Sequence, residues 1–160
     1  MYVPSCQTVF TMSVAIPILV YHRVHADDDP TMPEVRPDTY CGHVTVSQFR
    51  RHMDFLAEEG YRTVSHDQVA DWLQDGTELP VRPVAIDFDD NRFNVLENAF
   101  PIMRDYGFAG TVFVITELAS GVEIGMNQYP ALEWDDLAGL IEAGWGIEAH
   151  TKTHVTFGST

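Results

Sequence analysis

Carboxylates and imidazoles are concentrated in two short stretches whose composition suits metal chemistry. The stretch AIDFDDN ends an apolar run with Asp87, Asp89 and Asp90, and the stretch HTKTH places His150 and His154 four residues apart. Close carboxylates repel one another and lose hydration when buried, so either solvent or a cation must compensate them. Two histidines four apart share a face of a helical turn, and with a carboxylate oxygen they form a donor set typical of zinc or iron sites.

The elements that must position these residues follow from the alternation of apolar runs and turn residues. Five strands are predicted, at 17–21, 61–64, 81–88, 109–115 and 145–149. Four helices are predicted between them: one capped by Ser47 and ending at Gly60, one opened by the capping box Ser65–Gln68, one at 94–106 and one at 133–144. Pro101 must kink the third helix or restart it as a first-turn residue. Residues 22–45, rich in Asp, Pro and Gly, are predicted to form a long surface loop.

This strand and helix order favours an α/β fold with a parallel sheet and helices covering its faces. Functional groups in such folds gather at the carboxyl ends of the strands. Asp89 and Asp90 follow the third predicted strand, and HTKTH follows the fifth. The two stretches are therefore expected on the same rim of the sheet. The alternatives are a solvated turn for the acids and a surface coincidence for the histidine pair.

Two longer segments resemble the polysaccharide deacetylases, the family with a NodB-homology domain. The segment VAIDFDDNRFNVLENAFPIMRDYGFAGTVFVI is similar to the family's first signature, TFDDG followed by a helix and an ATFFV-like strand. The segment WDDLAGLIEAGWGIEAHTKTH is similar to the second, a Trp-led helix, a strand and then H-[ST]-x-[ST]-H. The likeness runs from Pro17 to His154, in the motif order of the poly-N-acetylglucosamine deacetylase branch.

The resemblance implies a role for each matched residue. Asp89 is expected as general base, and Asp90, His150 and His154 as ligands of a divalent metal, with zinc favoured over cobalt, nickel or iron. His22, of the YH pair that ends the first strand, is expected as general acid, the alternative being an imidazole that caps the strand end. The implied reaction is hydrolysis of N-acetyl groups on an N-acetylglucosamine polysaccharide, with water held by the metal as the nucleophile.

The sequence departs from the family pattern at two neighbouring positions. Asp87 stands where the family usually has Thr, and Asn91 stands where it has Gly. Asn tolerates a left-handed backbone better than most residues, so the second change is mild. If the strand is regular, Asp87 points to the same side as Asp89, where it would raise the pKa of the base or orient a ligand.

The resemblance implies a distorted (β/α) barrel, and such barrels usually need about eight strands. With five strands predicted, we expect a partial barrel: an N-terminal extension of unclear role at 1–16, and at 17–160 the N-terminal portion of a deacetylase domain, incomplete at its C-terminus. The alternative to an active enzyme is an inactive fragment or a carbohydrate-binding or metal-binding module that keeps the first half of the fold.

The net charge of the chain limits the classes of partner that it can bind. The 24 acidic and nine basic residues give a formal charge of −15, which repels nucleic acid and anionic lipid. No apolar run approaches the roughly 20 residues of a membrane span, and no signal peptide is evident. The expected partner is an N-acetylated polysaccharide, and the resemblance implies an extracellular or cell-surface location. The sequence does not predict an oligomeric state.

Overall fold

The computed structural model describes residues 15–32, 42–126, 129–156 and 158. The extension predicted at 1–16 lies outside the described residues except for its last two positions. The strands are β1 (Ile18–Tyr21), β2 (Arg23–His25), β3 (His43–Thr45), β4 (Arg62–Thr63), β5 (Pro83–Asp89), β6 (Thr111–Val114) and β7 (Gly146–Ala149). The α-helices are α1 (Val46–Glu58), α2 (His66–Asp75), α3 (Phe100–Asp105), α4 (Thr116–Ala119) and α5 (Trp134–Glu142).

A parallel sheet forms the centre of the fold. Its strands lie in the order β1, β5, β6, β7, and β4 pairs with the first residues of β5. Every pair in this sheet is parallel. These are the five strands predicted from the sequence, and the α/β class with a parallel sheet is confirmed. Their carboxyl ends meet at one rim, as the parallel arrangement requires.

The prediction of a continuous loop at 22–45 is wrong at both ends. β2 and β3 pair in parallel, with Arg23 opposite His43 and His25 opposite Thr45. Each strand has only three residues. The pairing partner lies 20 positions away in sequence, so local propensity carries no signal for it.

Helix α1 begins two residues earlier than predicted. Thr45, not Ser47, is its N-cap: the Thr45 hydroxyl accepts from the Gln48 N–H, and the Gln48 side chain accepts from the Thr45 N–H. Ser47 instead donates its N–H and hydroxyl to the carboxylate of Asp27, at 2.9 and 2.5 Å. The capping box predicted at Ser65–Gln68 is confirmed as the start of α2.

Pro101 restarts the third predicted helix. A π-helical turn, Val95–Ala99, comes first, and α3 begins at Phe100 with the proline in its first turn. A proline there loses no hydrogen bond, because the first N–H groups of a helix have no intrahelical acceptor. The short helix α4 was not predicted from the sequence.

The two faces of β5 have different surroundings. Phe88 is fully buried, and its ring stacks between Tyr21, with centroids 5.6 Å apart, and Trp145, at 5.5 Å. Asp87 and Asp89 alternate with it and therefore project from the opposite face of the strand. The hydrophobic core thus lies on one face and the acids on the other. Among the described residues, no helix has the length and apolar character needed to cross a bilayer.

Candidate active site

Asp90, His150 and His154 converge at the rim formed by the ends of β5 and β7. Asp90 Oδ1 lies 3.6 Å from His150 Nε2 and 3.4 Å from His154 Nε2. Two ligand atoms bound to one tetrahedral zinc at about 2.1 Å are separated by about 3.4 Å. Within the described residues, this is the group of three acidic, histidine or cysteine side chains whose donor atoms all lie within 4.8 Å of one another. The two distances from Asp90 match those of a tetrahedral site.

Asp90 has an uncompensated atom inside this group. The residue is 8% exposed, and its Oδ1 is buried with no hydrogen-bond donor from the described residues. Arg92 Nη2 lies 3.9 Å from the other carboxylate oxygen, Oδ2. A buried carboxylate oxygen without a donor is costly unless a cation compensates it. The donor set and the orphaned oxygen therefore fit a divalent metal.

The two histidines reach the cluster by a route that the sequence did not predict. They do not share a helix face, because β7 ends at Ala149 and no helix follows it in the described residues. The His150 N–H still donates to the Val114 carbonyl, at 2.8 Å. Thr151 and His154 then adopt left-handed backbone conformations, with φ of 66° and 60°. The Thr151 hydroxyl accepts the His154 N–H at 2.8 Å. A tight turn therefore aims both imidazoles at Asp90.

Asn91 fixes the turn that presents Asp90. Both residues have positive φ, 71° for Asp90 and 37° for Asn91, which agrees with the predicted tolerance of Asn for this region. Asn91 is fully buried: its amide donates to the Leu132 carbonyl at 3.0 Å, and its side-chain oxygen accepts from the Ile115 N–H at 3.1 Å. It thus ties the end of β5 to the end of β6 and to the segment before α5.

Asp89 and His22 face one another beside the cluster. Asp89 Oδ2 lies 3.9 Å from His22 Nε2, and the two side chains are 22% and 26% exposed. This separation is too long for a hydrogen bond, but both groups are open to a substrate. The His22 N–H donates to the Gly42 carbonyl at 2.7 Å. Gly42 has φ of 59°, and a Cβ there would overlap His22 Nδ1, so the glycine leaves room for the imidazole.

Asp87, the first acid of the AIDFDDN stretch, has a partner that the sequence did not predict. His66, the first residue of α2, is hydrogen-bonded through Nε2 to Asp87 Oδ1 at 2.9 Å. Asp87 is only 4% exposed, and burial raises the pKa of its carboxyl while the bond from His66 opposes the rise. His66 lies three positions after the end of β4, at the carboxyl rim of the sheet. This position was the sequence signal that could have identified it as a neighbour of the acids.

Phe113 connects this pair to the cluster. The Phe113 ring makes an edge contact with His66 at 5.4 Å between centroids, and another with His150 at 6.4 Å. Asp87 is therefore linked to the predicted ligand His150 through His66 and Phe113. The structure brings together all five residues to which the resemblance assigns a role, and those roles remain predictions.

The chain is similar to known polysaccharide deacetylases. Residues 76–160 match the family model described as polysaccharide deacetylase. The Bacillus subtilis protein YxkH, which is named among the polysaccharide deacetylases, is 26% identical over 140 residues, covering 88% of this chain and 43% of that protein. A Staphylococcus epidermidis protein named poly-beta-1,6-N-acetyl-D-glucosamine N-deacetylase is 27% identical over 110 residues, covering 68% of this chain and 37% of its own length.

The fold is also that of a solved deacetylase. The structure of Streptococcus pyogenes deacetylase PplD in complex with acetate superposes with a TM-score of 0.74 at 24% identity, covering 93% of this chain and 62% of PplD. The chain spans less than half the length of the two curated relatives. Its parallel sheet and covering helices are the part of the deacetylase barrel that it shares with PplD. With a matching family model over more than half of its residues, the chain belongs to the polysaccharide deacetylase family.

Proposed function

We propose that this chain catalyses metal-dependent removal of N-acetyl groups from an N-acetylglucosamine polysaccharide. The observation that carries the proposal is the buried, donorless Oδ1 of Asp90 within 3.6 Å of two imidazole nitrogens, next to the accessible carboxylate of Asp89. The names of the Bacillus and Staphylococcus relatives support the substrate class. The chain spans less than half the length of those relatives, so its activity is stated as a proposal.

Three residues would hold the metal, and zinc is the ion that their donor set favours. Asp90 supplies one oxygen, and His150 and His154 supply one nitrogen each, which leaves the fourth position of a tetrahedral site for water or a substrate oxygen. When bound, the metal polarises the amide carbonyl and lowers the pKa of water, which supplies several kcal/mol of barrier reduction. Cobalt, nickel and iron accept the same donors.

Asp89 and His22 would move the protons. Asp89 accepts a proton from the attacking water, and its 22% exposure leaves an oxygen available for this task. His22, on the far side of that carboxylate, donates a proton to the departing amine nitrogen. The water oxygen bonds to the carbonyl carbon and the C–N bond breaks, which gives a free amino sugar and acetic acid, and the acid ionises to acetate. Asp89 gains one proton and His22 loses one. Asp89 Oδ2 and His22 Nε2 lie 3.9 Å apart, so both groups can reach the same reacting amide from one side.

Acetate release tests the proposal. The purified chain, freed of metal with EDTA and reloaded with one equivalent of zinc, is incubated with an N-acetylglucosamine oligomer, and acetate is quantified enzymatically. The expected result is release that depends on zinc. Zinc uptake without acetate release would contradict the enzymatic proposal and favour a binding module instead.

A further inference from the structure

A cavity of about 150 Å³ lies beside the metal cluster, separated from it by Arg92. We refer to it as the arginine cavity; its lining includes Arg23, Arg92, Asn94 and Tyr129. Arg92 Nη2 is 3.9 Å from Asp90 Oδ2, so one wall of the cavity is also the neighbour of a proposed metal ligand. A void of this size admits a group about as large as a six-membered ring.

Two buried arginines, Arg23 and Arg92, line the arginine cavity. Arg23 and Arg92 are each only 5% exposed, and burial lowers the pKa of both guanidinium groups. One face of the Arg23 guanidinium is covered by the Tyr129 ring, 3.1 Å from its centroid. Among the described residues, Arg23 has no carboxylate within 4.0 Å, and Arg92 has only that of Asp90.

Asp29 and Asp90 lie near enough to Arg23 to raise the pKa of its guanidinium, but neither carboxylate is within 4.0 Å of it. Asp29 accepts from the Thr31 N–H and hydroxyl through Oδ1, at 2.8 and 2.7 Å, and is bonded to His25 through Oδ2 at 2.7 Å. The hydrogen bond from His25, followed by those from Thr31, lowers the pKa of Asp29 to about 2. Glu97 is exposed, with no ion pair to a described residue. Arg92 donates from Nη1 to the Met126 carbonyl at 2.9 Å, and Arg23 is hydrogen-bonded to Tyr129. Among the described residues, this leaves further N–H donors of both five-donor guanidinium groups for a ligand.

Asn94 adds a complementary group. Its Oδ1 is buried without a hydrogen-bond donor from the described residues, although the residue lines the cavity. A ligand that satisfies the lining must therefore present an anionic acceptor to the arginines and a hydroxyl or N–H donor to Asn94. Asp90 already offsets part of the positive charge, which favours a monoanion over a phosphate dianion.

We infer that the arginine cavity binds a carboxylate-bearing sugar of the substrate, with the carboxylate on Arg23 and Arg92 and a hydroxyl on Asn94 Oδ1. This inference rests on the proposed function, because it takes the ligand to be part of a polysaccharide. It narrows the substrate class to a polymer in which an acidic sugar neighbours the N-acetylated one.

Direct binding to the EDTA-treated full chain tests the inference, since without metal a carboxylate cannot be retained by the metal cluster. Calorimetric titrations compare glucuronate, glucose and inorganic phosphate. Glucuronate is expected to bind about tenfold or more tightly than glucose, as charge-assisted hydrogen bonds predict, and more tightly than phosphate. Equal binding of glucose and glucuronate would overturn the inference, and tighter binding of phosphate would overturn its choice of ligand.

Two variants locate the site. Arg23→Gln removes the cation that does not contact Asp90, and it should lower the affinity for glucuronate about tenfold. Arg104→Gln, an exposed arginine of α3 outside the cavity, should leave the affinity unchanged. An Arg23→Gln variant with unchanged affinity for glucuronate would overturn the assignment.

If Arg23→Gln does not fold, the comparison of glucuronate, glucose and phosphate on the unmodified chain decides whether the cavity binds a carboxylate. The calorimetric titration measures binding without turnover. A chain that binds glucuronate but releases no acetate would therefore refute the proposed function and leave the binding site confirmed.

Discussion

His66 Nε2 lies 2.9 Å from Asp87 Oδ1, and this hydrogen bond joins the start of α2 to the acidic face of β5. The three carboxylates that end β5 are thus compensated in different ways. Asp87 is paired with an imidazole, Asp89 is open to solvent opposite His22, and Asp90 has a buried oxygen directed at two histidines. Asp87, one of the two residues that depart from the family pattern, therefore has its own partner.

Replacing His66 by Leu should destabilise the protein. The change leaves the buried Asp87 carboxyl without its partner, which costs about 1–3 kcal/mol in the free energy of unfolding. Urea denaturation measures it. The double variant His66→Leu, Asp87→Thr should recover most of the loss, because it removes the buried carboxyl together with its imidazole partner. A double variant as unstable as the sum of the two single variants would show that the pair is not coupled.

Removing a proposed ligand should abolish zinc uptake. Asp90→Asn weakens the oxygen donor and His150→Gln removes a nitrogen, so the zinc content after dialysis should fall from about one equivalent to near zero. Plasma mass spectrometry of the dialysed protein measures it. Asp105→Asn, at an exposed position in α3, is the matched control and should keep its zinc. Retention of zinc by both ligand variants would refute the assigned cluster.

His43 should titrate well below the usual range of a histidine. Burial, followed by the nearby His25 and Arg23, lowers the pKa of His43 to about 4. In the unfolded chain its pKa is about 6.5, so between pH 4 and 6.5 the unfolded state binds more protons at this residue. The contribution of His43 to stability is therefore complete above pH 6.5 and is lost as the pH falls towards 4.

Nuclear magnetic resonance of the histidine ring protons checks the midpoint, and denaturation at several pH values checks the slope. His43→Gln should flatten the stability profile across that window, and Gln keeps a donor for His25 Nε2, which lies 3.0 Å from His43 Nδ1. A ring midpoint near pH 6.5 would contradict the burial argument.

Gly42→Ala should impair catalysis through His22. The new Cβ would overlap His22 Nδ1, and the positive φ costs an alanine about 1–2 kcal/mol. We expect a lower rate of acetate release with unchanged zinc content. Gly139→Ala is the control, since that helix position has open space around it and Ala should stabilise the helix by about 0.5–1 kcal/mol. Equal rates for the two variants would argue against a constraint on His22.

The rim of the sheet could be predicted because its signals are local. Apolar runs, turn residues and the Ser65 capping box define the strands and helices, and the parallel rule places Asp90 near His150. The pairs His66 with Asp87 and Arg23 with Arg92 could not be predicted in this way. Their members are 21 and 69 positions apart, and only the three-dimensional pairing of strands brings them together. The left-handed turn at Thr151 likewise depends on tertiary contacts that override local preference.

Replacement of Asp89 by Asn tests the account most directly. Acetate release from an N-acetylglucosamine oligomer and bound zinc are measured in the same samples for the unmodified chain and for Asp89→Asn. The account predicts one equivalent of zinc in both and a loss of about 100-fold or more in the rate for the variant, because the base is lost and the proposed ligands are kept. An undiminished rate in a variant that retains its zinc would contradict the central claim.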